Sequence, residues 1–165
     1  MPKITLLLHN IRSTHNVGAI FRTAEGFGIQ RIILTGYTPY PTFQSDTRLP
    51  HLAQKIHSQI SKTALGAESS VPFEYHDDLI SWLNVNTLPL VALEQDPNSV
   101  PLTDFDAPNE FVLVLGEEVN GIPAELLNRC SHIVEIPMKG KKESFNVSVA
   151  NGIALYALSL TPKIS

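Results

Sequence analysis

Five short, mainly apolar runs constrain the fold of this chain more than any other feature of its sequence. Their apolar residues do not alternate with polar ones, which is typical of strands that are buried on both faces of a parallel sheet. The runs lie at 4–8, 31–36, 88–94, 111–116 and 132–137. They predict a mostly parallel sheet that is flanked by helices.

The segments between these runs predict the helices. Apolar spacing and helix-start residues favour helices at 17–27, 77–84 and 124–130, and partly over 51–67. Because strand and helix alternate along the chain, the predicted class is α/β. We expect a single domain over residues 1–165, without internal repeats.

Size and composition predict a cytoplasmic protein. A chain of this length buries roughly two-thirds of the surface that its unfolded form exposes, so it needs no disulfide framework. The single cysteine, Cys130, suits a reducing compartment and is interpreted as a small buried apolar residue. No apolar run approaches the ~20 residues of a membrane span, and the N-terminal apolar stretch is too short for a secretory signal.

Charge is distributed unevenly. Residues 1–62 carry seven Lys or Arg and two acidic residues, whereas residues 63–165 carry five and fourteen. The net charge of −4 argues against a uniformly basic nucleic-acid-binding protein. The basic first third and the KGKK turn at 139–142 could contact phosphates locally, and ordinary solvated charge is the alternative.

Residues 36–50 are rich in turn formers and aromatic residues and predict a long surface loop. A loop of this length is often functional, but a merely mobile insertion is an equal alternative. The following His51 and His57 lack a companion ligand at helical spacing, and the other histidines are scattered. No metal site is therefore predicted.

Three segments carry polar residues or glycines that the fold alone does not require. The first, NIRSTHNVGAIFR at 10–22, is a polar loop entering a helix, with Asn16 at the expected N-cap. At 100° per residue, Gly18 and Arg22 lie on the face opposite the apolar residues. Arg22 is either solvated or turned toward a ligand or another subunit. The predicted buried face comprises Ile20, Phe21, Ala24 and Phe27.

The second segment is FVLVLGEEVNGIP at 111–123, in which a buried strand enters a glycine-containing loop. Ligands of open α/β sheets bind beyond the carboxyl ends of the strands, where this loop is expected to lie. Glycine at such a position lets a ligand approach the backbone closely. An ordinary strand-to-helix connection is the alternative.

The third segment is IPMKGKKESFNVSVANGIALYAL at 136–158. Ser144, Asn146 and Ser148 precede a helix that is apolar around its whole circumference, and helix capping accounts for only one of the three. A helix that is apolar on all sides is expected to be buried on all sides. We therefore expect a second copy of the chain to cover its far side, as a homodimer.

The motifs NVGAIFR, LGEEVNG and IPMKGKKESFNVSVANGIALYAL resemble, in order and spacing, the three motifs of the SpoU (TrmH-type) branch of the SPOUT RNA methyltransferases. The resemblance spans residues 4–160. It implies a C-terminal deep trefoil knot, S-adenosylmethionine bound in the knot, and catalysis at a homodimer interface. It also implies methyl transfer to a ribose 2′-hydroxyl of RNA.

The same resemblance implies roles for individual residues. The catalytic residues would be Asn16, Arg22, Glu118, Ser144 and Asn146. The cofactor would lie among Leu93, Gly116, Glu118, Ile136, Met138, Phe145 and Asn146, and RNA would contact Arg12, Arg22, Lys139, Lys141 and Lys142. Glu117 departs from the small residue that is common in the family and would slightly alter the cofactor wall.

Arginine stays charged in proteins and is a poor proton acceptor, so Arg22 is interpreted as an electrostatic group, from its own or the partner subunit. Two alternatives remain: a knotted RNA-binding or assembly protein without catalysis, and methylation of a base or a protein side chain by the same scaffold. We expect no appended RNA-binding domain. The RNA is expected to be tRNA, with rRNA as the alternative.

Overall fold

The computed structural model describes residues 1–160, which form a seven-stranded sheet whose neighbouring strands are all parallel. The strands are β1 (Lys3–His9), β2 (Arg31–Thr35), β3 (Phe73–His76), β4 (Leu90–Leu93), β5 (Val100–Pro101), β6 (Glu110–Leu115) and β7 (His132–Glu135). Their order in the sheet is β3-β2-β1-β6-β4-β7-β5.

The helices connect these strands and cover the sheet. They are α1 (Thr14–Gly26), α2 (Pro50–Ala64), α3 (Ala67–Ser70), α4 (Leu79–Val85), α5 (Ala124–Leu127) and α6 (Val147–Ser159), and a 3₁₀ turn spans Leu102–Asp104. The α/β class, the parallel sheet and the flanking helices are therefore confirmed. The predicted helix at 124–130 is wrong in length, because α5 ends at Leu127.

Strand β1 shows why the apolar runs are continuous. Leu6 and Leu8 pack into the cluster on the side of α1 and α6, whereas Leu7 packs into the opposite cluster with Trp82 of α4. Successive strand residues point to opposite faces, and both faces are covered, so neighbouring positions are both apolar. All five predicted strands are present, and burial on both faces is nearly complete in β1, β2, β4 and β6, whereas in β7 only Val134 is buried.

Two strands were not predicted from the sequence. Strands β3 and β5 are short and lie at the two edges of the sheet. Their residues are only partly buried, so they lack the continuous apolar run that marks a central strand.

Helix α1 differs from its prediction in two respects. Ser13, not Asn16, is the N-cap, and its hydroxyl accepts a hydrogen bond from the Asn16 backbone N at 3.2 Å. Gly18 is buried, because α2 crosses there and a Cβ would overlap Ile60 O and Thr63 Oγ1. The expectation that Gly18 shares the outer face with Arg22 is therefore wrong, whereas Arg22 is exposed as predicted.

Helix α6 is buried on one side only within the single chain. Asn151, Ala154, Leu155 and Leu158 are buried against the rest of the fold. Its other side exposes Val149, Ile153 and Tyr156, and Leu160, which follows the helix, is exposed as well. The all-round burial expected from the sequence would thus require a second molecule.

The loop after β2 spans residues 36–49 and is internally cross-linked. The Arg48 side chain donates to Asp46 Oδ2 at 2.6 Å, to Tyr40 O at 3.1 Å and to Pro41 O at 3.1 Å. Its guanidinium also lies 3.6 Å from the centre of the Tyr40 ring, in a cation–π contact. These contacts favour an ordered loop over a merely mobile insertion.

Candidate functional site

A cleft of about 290 Å³ lies at the carboxyl ends of β4, β6 and β7. It is lined by these strand ends, by the loop at 116–121 and by the segment that leads into α6. Apolar lining residues are Leu93, Leu115, Ile136, Phe145 and Val147, and acidic ones are Glu94, Glu117, Glu118, Glu135 and Glu143. This is the edge at which ligands of parallel α/β sheets bind.

The loop at 116–121 is held in a tight turn. Glu117 N donates to Gly121 O at 3.2 Å, and Gly121 N donates to Glu117 O at 2.9 Å. Gly121 has a φ of 70°, a conformation that favours glycine, and a Cβ on Gly116 would lie 2.6 Å from Ile122 N. Both glycines of the motif are therefore required by the backbone packing.

Glu94 fixes this loop to the end of β4, a function that the sequence did not indicate. Its Oε2 accepts a hydrogen bond from Ile122 N at 2.9 Å, and its Oε1 accepts one from Gln95 N at 2.9 Å. A Cβ on Gly121 would overlap Glu94 Oε2. The signal that could have revealed it is an acidic residue at the carboxyl end of a predicted strand, 88–94.

Glu118 joins the loop to the start of α1. Its Oε2 accepts from Arg12 N at 3.0 Å, and its Oε1 accepts from Ser13 N at 3.2 Å and from Asn16 Nδ2 at 3.1 Å. Burial alone would raise the pKa of Glu118, but the hydrogen bonds from Arg12, Asn16 and Ser13 outweigh it, so the pKa is lowered. Glu118 is therefore a carboxylate acceptor at neutral pH.

Asn146 connects the third segment to the other two. Its Nδ2 donates to Asn16 Oδ1 at 3.1 Å. Its own Oδ1 accepts from Ser148 N at 2.9 Å and Val149 N at 3.4 Å, which makes Asn146 the N-cap of α6. One line of hydrogen bonds thus runs from Glu118 through Asn16 and Asn146 into α6.

Glu117, which also lines the cleft, pairs its buried carboxylate with Arg12. Arg12 Nη2 lies 2.7 Å from Glu117 Oε1, and Asn120 N donates to Glu117 Oε2 at 2.8 Å. The glutamate that departs from the family pattern is therefore matched by a cation from the first segment.

The residues predicted for the site fall into three groups. The first group lines the cleft and comprises Leu93, Gly116, Glu118, Ile136, Ser144 and Phe145. The second lies beside the cleft in the hydrogen-bonded network and comprises Asn16, Asn146 and Arg12. The third does not line the cleft and comprises Met138, Arg22, Lys139, Lys141 and Lys142.

Other groups contribute less to the site. No group of three or more His, Cys, Asp or Glu residues suited to a metal ion occurs among residues 1–160. Cys130 is half-buried, and burial raises the pKa of its thiol to about 11. Over the same residues, none of the helices has the length and apolar character of a membrane-spanning segment.

Sequence comparison shows similarity to RNA methyltransferases. The chain is 29% identical over 163 residues to a 23S rRNA (guanosine-2'-O-)-methyltransferase, RlmB, of Coxiella burnetii, covering 94% of this chain and 57% of that protein. It is 27% identical over 158 residues to a tRNA (guanosine(18)-2'-O)-methyltransferase of Escherichia coli K12, covering 94% of this chain and 62% of that protein. The chain therefore spans less than two-thirds of the length of these relatives.

Solved structures share the fold. An AdoMet-bound rRNA methyltransferase from Sinorhizobium meliloti superposes with a TM-score of 0.77 at 26% identity, over 97% of this chain and 57% of that one. A structure described for the 2-OH methylation of C/U34 on tRNA superposes with a TM-score of 0.73 at 24% identity, over 94% of this chain and 93% of that one. The second likeness concerns the fold alone.

The sequence model of one family accounts for nearly all of the chain, since it matches residues 3–156. The first two of the three segments that meet around the cleft lie within this range, and the third lies within it as far as residue 156. The chain belongs to the SpoU rRNA Methylase family.

Proposed function

We propose that this chain is an S-adenosylmethionine-dependent RNA methyltransferase that transfers a methyl group to a ribose 2′-hydroxyl. The observation that carries the proposal is the line of hydrogen bonds from Glu118 through Asn16 to Asn146 beside the cleft. It joins all three family motifs at the ligand-binding edge of the sheet. The names of the relatives and of the AdoMet-bound neighbour support the same activity.

The lining of the cleft suits S-adenosylmethionine chemically. Its volume of about 290 Å³ is just below the range of roughly 300–1,000 Å³ for small-molecule sites. Leu93, Ile136 and Phe145 offer apolar surface to a purine ring, and Glu94 and Glu118 place negative charge near a cationic ligand. Gly116 also lines the cleft, and the proposed set is completed by Met138 and Asn146, which lie outside the lining. When bound, the cofactor supplies an electrophilic methyl group on a sulfonium.

The chain's own residues would then bind and orient the nucleotide. Asn16, Glu118, Ser144 and Asn146 are proposed to hold the ribose by hydrogen bonds, which lowers the entropic cost of aligning its hydroxyl. Arg22 is proposed to bind the adjacent phosphate and to stabilise negative charge that develops on the oxygen. Its side chain makes no hydrogen bond or ion pair within the described part of the chain, residues 1–160, which leaves it available for RNA.

Phosphate binding is assigned to the basic turn between β7 and α6. Lys139, Lys141 and Lys142 are exposed, and they flank the cleft-lining segment that begins at Glu143. With Arg22 and these three lysines, Arg12 is the fifth proposed contact to RNA. Because counterions are released when phosphates are bound, the affinity for RNA should decrease steeply with salt. The substrate is proposed to be tRNA or rRNA, since the relatives are named for both.

A homodimer would complete the site. Val149, Ile153 and Tyr156 of α6 are exposed, with Tyr156 at 59%. Arg22 lies next to Thr23, whose Cγ2 would be 3.8 Å from a Cβ on Gly152 of α6. A second copy that covers α6 would therefore approach Arg22 as well, which supports Arg22 acting in the partner's site.

We further propose the family's C-terminal trefoil knot and a cytoplasmic location. In support of the knot, β7 follows β6 in the chain but lies between β4 and β5 in the sheet, and the segment after it returns past the loop at 116–121 to reach α6. The proposed RNA substrate and the single free cysteine suit the cytoplasm.

The test is methyl transfer from labelled S-adenosylmethionine to total RNA from cells that lack this protein, followed by digestion to nucleosides. Label on a ribose 2′-oxygen is expected. Label on a base, or on protein, would overturn the proposed acceptor. Calorimetric titration with S-adenosylmethionine that shows no binding would support a non-catalytic RNA-binding or assembly protein instead.

A further inference from the structure

Tyr37 is an exposed aromatic residue at the same edge of the sheet as the candidate site. It follows the carboxyl end of β2, and 56% of its surface is accessible. Its backbone N donates to Asn10 Oδ1 at 3.2 Å. Asn10 and Gly36 both have positive φ, 58° and 64°, and a Cβ on Gly36 would overlap Asn10 Oδ1. The backbone is thus fixed where Tyr37 leaves the sheet.

Asn10 is in turn fixed by buried groups at the ends of β1 and β2. Its Nδ2 lies 3.1 Å from His9 Nε2, and His9 Nδ1 lies 2.9 Å from Thr35 Oγ1. Through its backbone N–H, Tyr37 is therefore connected to the core by the side chains of Asn10, His9 and Thr35, although its own ring is exposed.

The other aromatic residues of the 36–49 loop are used for packing. Tyr40 stacks on Tyr75 with ring centres 3.9 Å apart, and Phe43 meets Phe73 edge-on at 6.3 Å. Tyr37 makes no ring-to-ring contact with residues 1–160. Its ring therefore has exposed surface that internal packing does not use.

Arg12 lies between this ring and the site. Its backbone N donates to Glu118, and its side chain, 59% exposed, pairs with Glu117 at 2.7 Å. Arg12 follows Asn10 by two residues, and Asn10 Oδ1 accepts the hydrogen bond from Tyr37 N, so Arg12 and Tyr37 are held at the same junction of the two strand ends. Tyr37 and Glu117 raise the pKa of Arg12. An exposed aromatic ring and an exposed cation thus stand together beside the Glu118 network.

We propose that Tyr37, with Arg12 beside it, forms a stacking platform for a nucleobase that neighbours the target ribose. Every base offers a π-face to an aromatic ring, and a guanidinium can bind the adjoining phosphate or stack on the base. The cross-linked loop holds the ring in place before RNA arrives, which reduces the entropic cost of binding. This inference rests on the proposed function.

The first test compares steady-state kinetics of methyl transfer to total RNA that lacks the modification. Tyr37→Ala should raise KM for RNA roughly 5- to 150-fold, the range that one base stack contributes, with little change in kcat or in affinity for S-adenosylmethionine. Tyr37→Phe and Tyr37→Trp should remain close to wild type. Phe43→Leu, in the same loop, is the matched control and should leave KM unchanged.

A second test does not need methyl transfer. Tyr37→Trp adds a fluorophore at the platform, and titration with oligoadenylate should quench it, whereas wild type, with only the buried Trp82, should show little quenching. Two results would overturn the proposal that Tyr37 is a stacking platform, without touching the proposed function. One is a Tyr37→Trp fluorescence signal that stays unquenched while RNA binds, and the other is a Tyr37→Ala enzyme with wild-type KM for RNA. A wild-type protein that transfers no methyl group would overturn the proposed function, and the quenching would still decide whether Tyr37 meets a base.

Discussion

Asn146 Nδ2 donates a hydrogen bond to Asn16 Oδ1 at 3.1 Å, across 130 positions of sequence. The same Asn146 caps α6 through its Oδ1. One side chain therefore determines both where the last helix begins and how the third segment meets the first.

Asn146→Asp should separate these two functions. The new carboxylate still accepts from Ser148 N and Val149 N, and a negative charge suits a helix N-terminus, so the melting temperature should stay near that of wild type. The donor to Asn16 is lost, however, and two oxygens would face each other. Methyl transfer should decrease strongly; full activity would show that the hydrogen bond to Asn16 is dispensable.

Asn146→Ala is the comparison variant, because it removes the helix cap as well as the donor to Asn16. It should lower the free energy of unfolding by about 0.5–2 kcal/mol.

Arg22→Ala should abolish methyl transfer but leave the affinity for S-adenosylmethionine largely intact, because Arg22 does not line the cleft. Calorimetry and a methyl-transfer assay on the same preparation measure the two effects. Arg129→Ala, at another exposed arginine, is the control and should keep both the affinity for S-adenosylmethionine and the methyl-transfer activity. Equal losses of cofactor affinity and activity would contradict this assignment.

Glu118→Gln should lower the free energy of unfolding by about 1–3 kcal/mol, since an amide cannot accept from all three donors that now converge on the carboxylate. Denaturant unfolding measures this change. Glu143→Gln removes an exposed carboxylate from the same cleft and should change the unfolding free energy little. A similar loss in both variants would mean that net charge, rather than the network, is responsible.

His9 should make stability depend on pH below about 6.5. Burial lowers the pKa of His9 from its ordinary value of 6.5, so the unfolded chain takes up a proton before the folded chain does. The stability from neutral His9 is fully present above about pH 6.5 and is lost as the pH falls toward the lower, folded pKa. A proton on Nε2 would also face the Asn10 amide.

The effect can be measured as the change in melting temperature between about pH 7.5 and about pH 5.5. His9→Gln should flatten the decrease, although it lowers stability at every pH, and the exposed His51→Gln should retain the wild-type slope. A slope that survives in His9→Gln would exclude His9 as its source.

Asn151→Leu should stabilise the fold. Asn151 is fully buried on α6, and neither its Oδ1 nor its Nδ2 has a hydrogen-bond partner within residues 1–160. An unsatisfied buried polar group costs about 1–3 kcal/mol, and Leu has a similar shape and a higher helix propensity. The melting temperature should therefore rise. Asn84→Leu, on the exposed side of α4, controls for helix propensity and should have a smaller effect; a decrease in melting temperature for Asn151→Leu would point to a buried water.

The central sheet could be predicted because burial on both faces leaves a direct trace in the sequence, as Leu6, Leu7 and Leu8 show. The contact between α1 and α2 could not be predicted from the sequence. Helical periodicity records how apolar a position is, and Gly18 is buried for its small size instead.

The residues of the candidate site could be predicted from the sequence, but their contacts with one another could not. The resemblance identified Asn16, Glu118 and Asn146 as functional candidates, but their mutual hydrogen bonds depend on how distant segments meet. Glu94 escaped notice because its function is to accept backbone N–H groups, a need that arises only once the 116–121 loop has folded.

The place of β7 in the sheet has a consequence for synthesis on the ribosome. A nascent chain that has emerged as far as β6 can pair β1, β2, β3, β4 and β6, yet β5 has no neighbour until β7 enters between it and β4. The cleft then still lacks the wall formed by residues 143–150. A segment translated after β7 therefore completes the candidate site, and a chain that stops before residue 143 would hold much of the sheet without a closed place for a ligand.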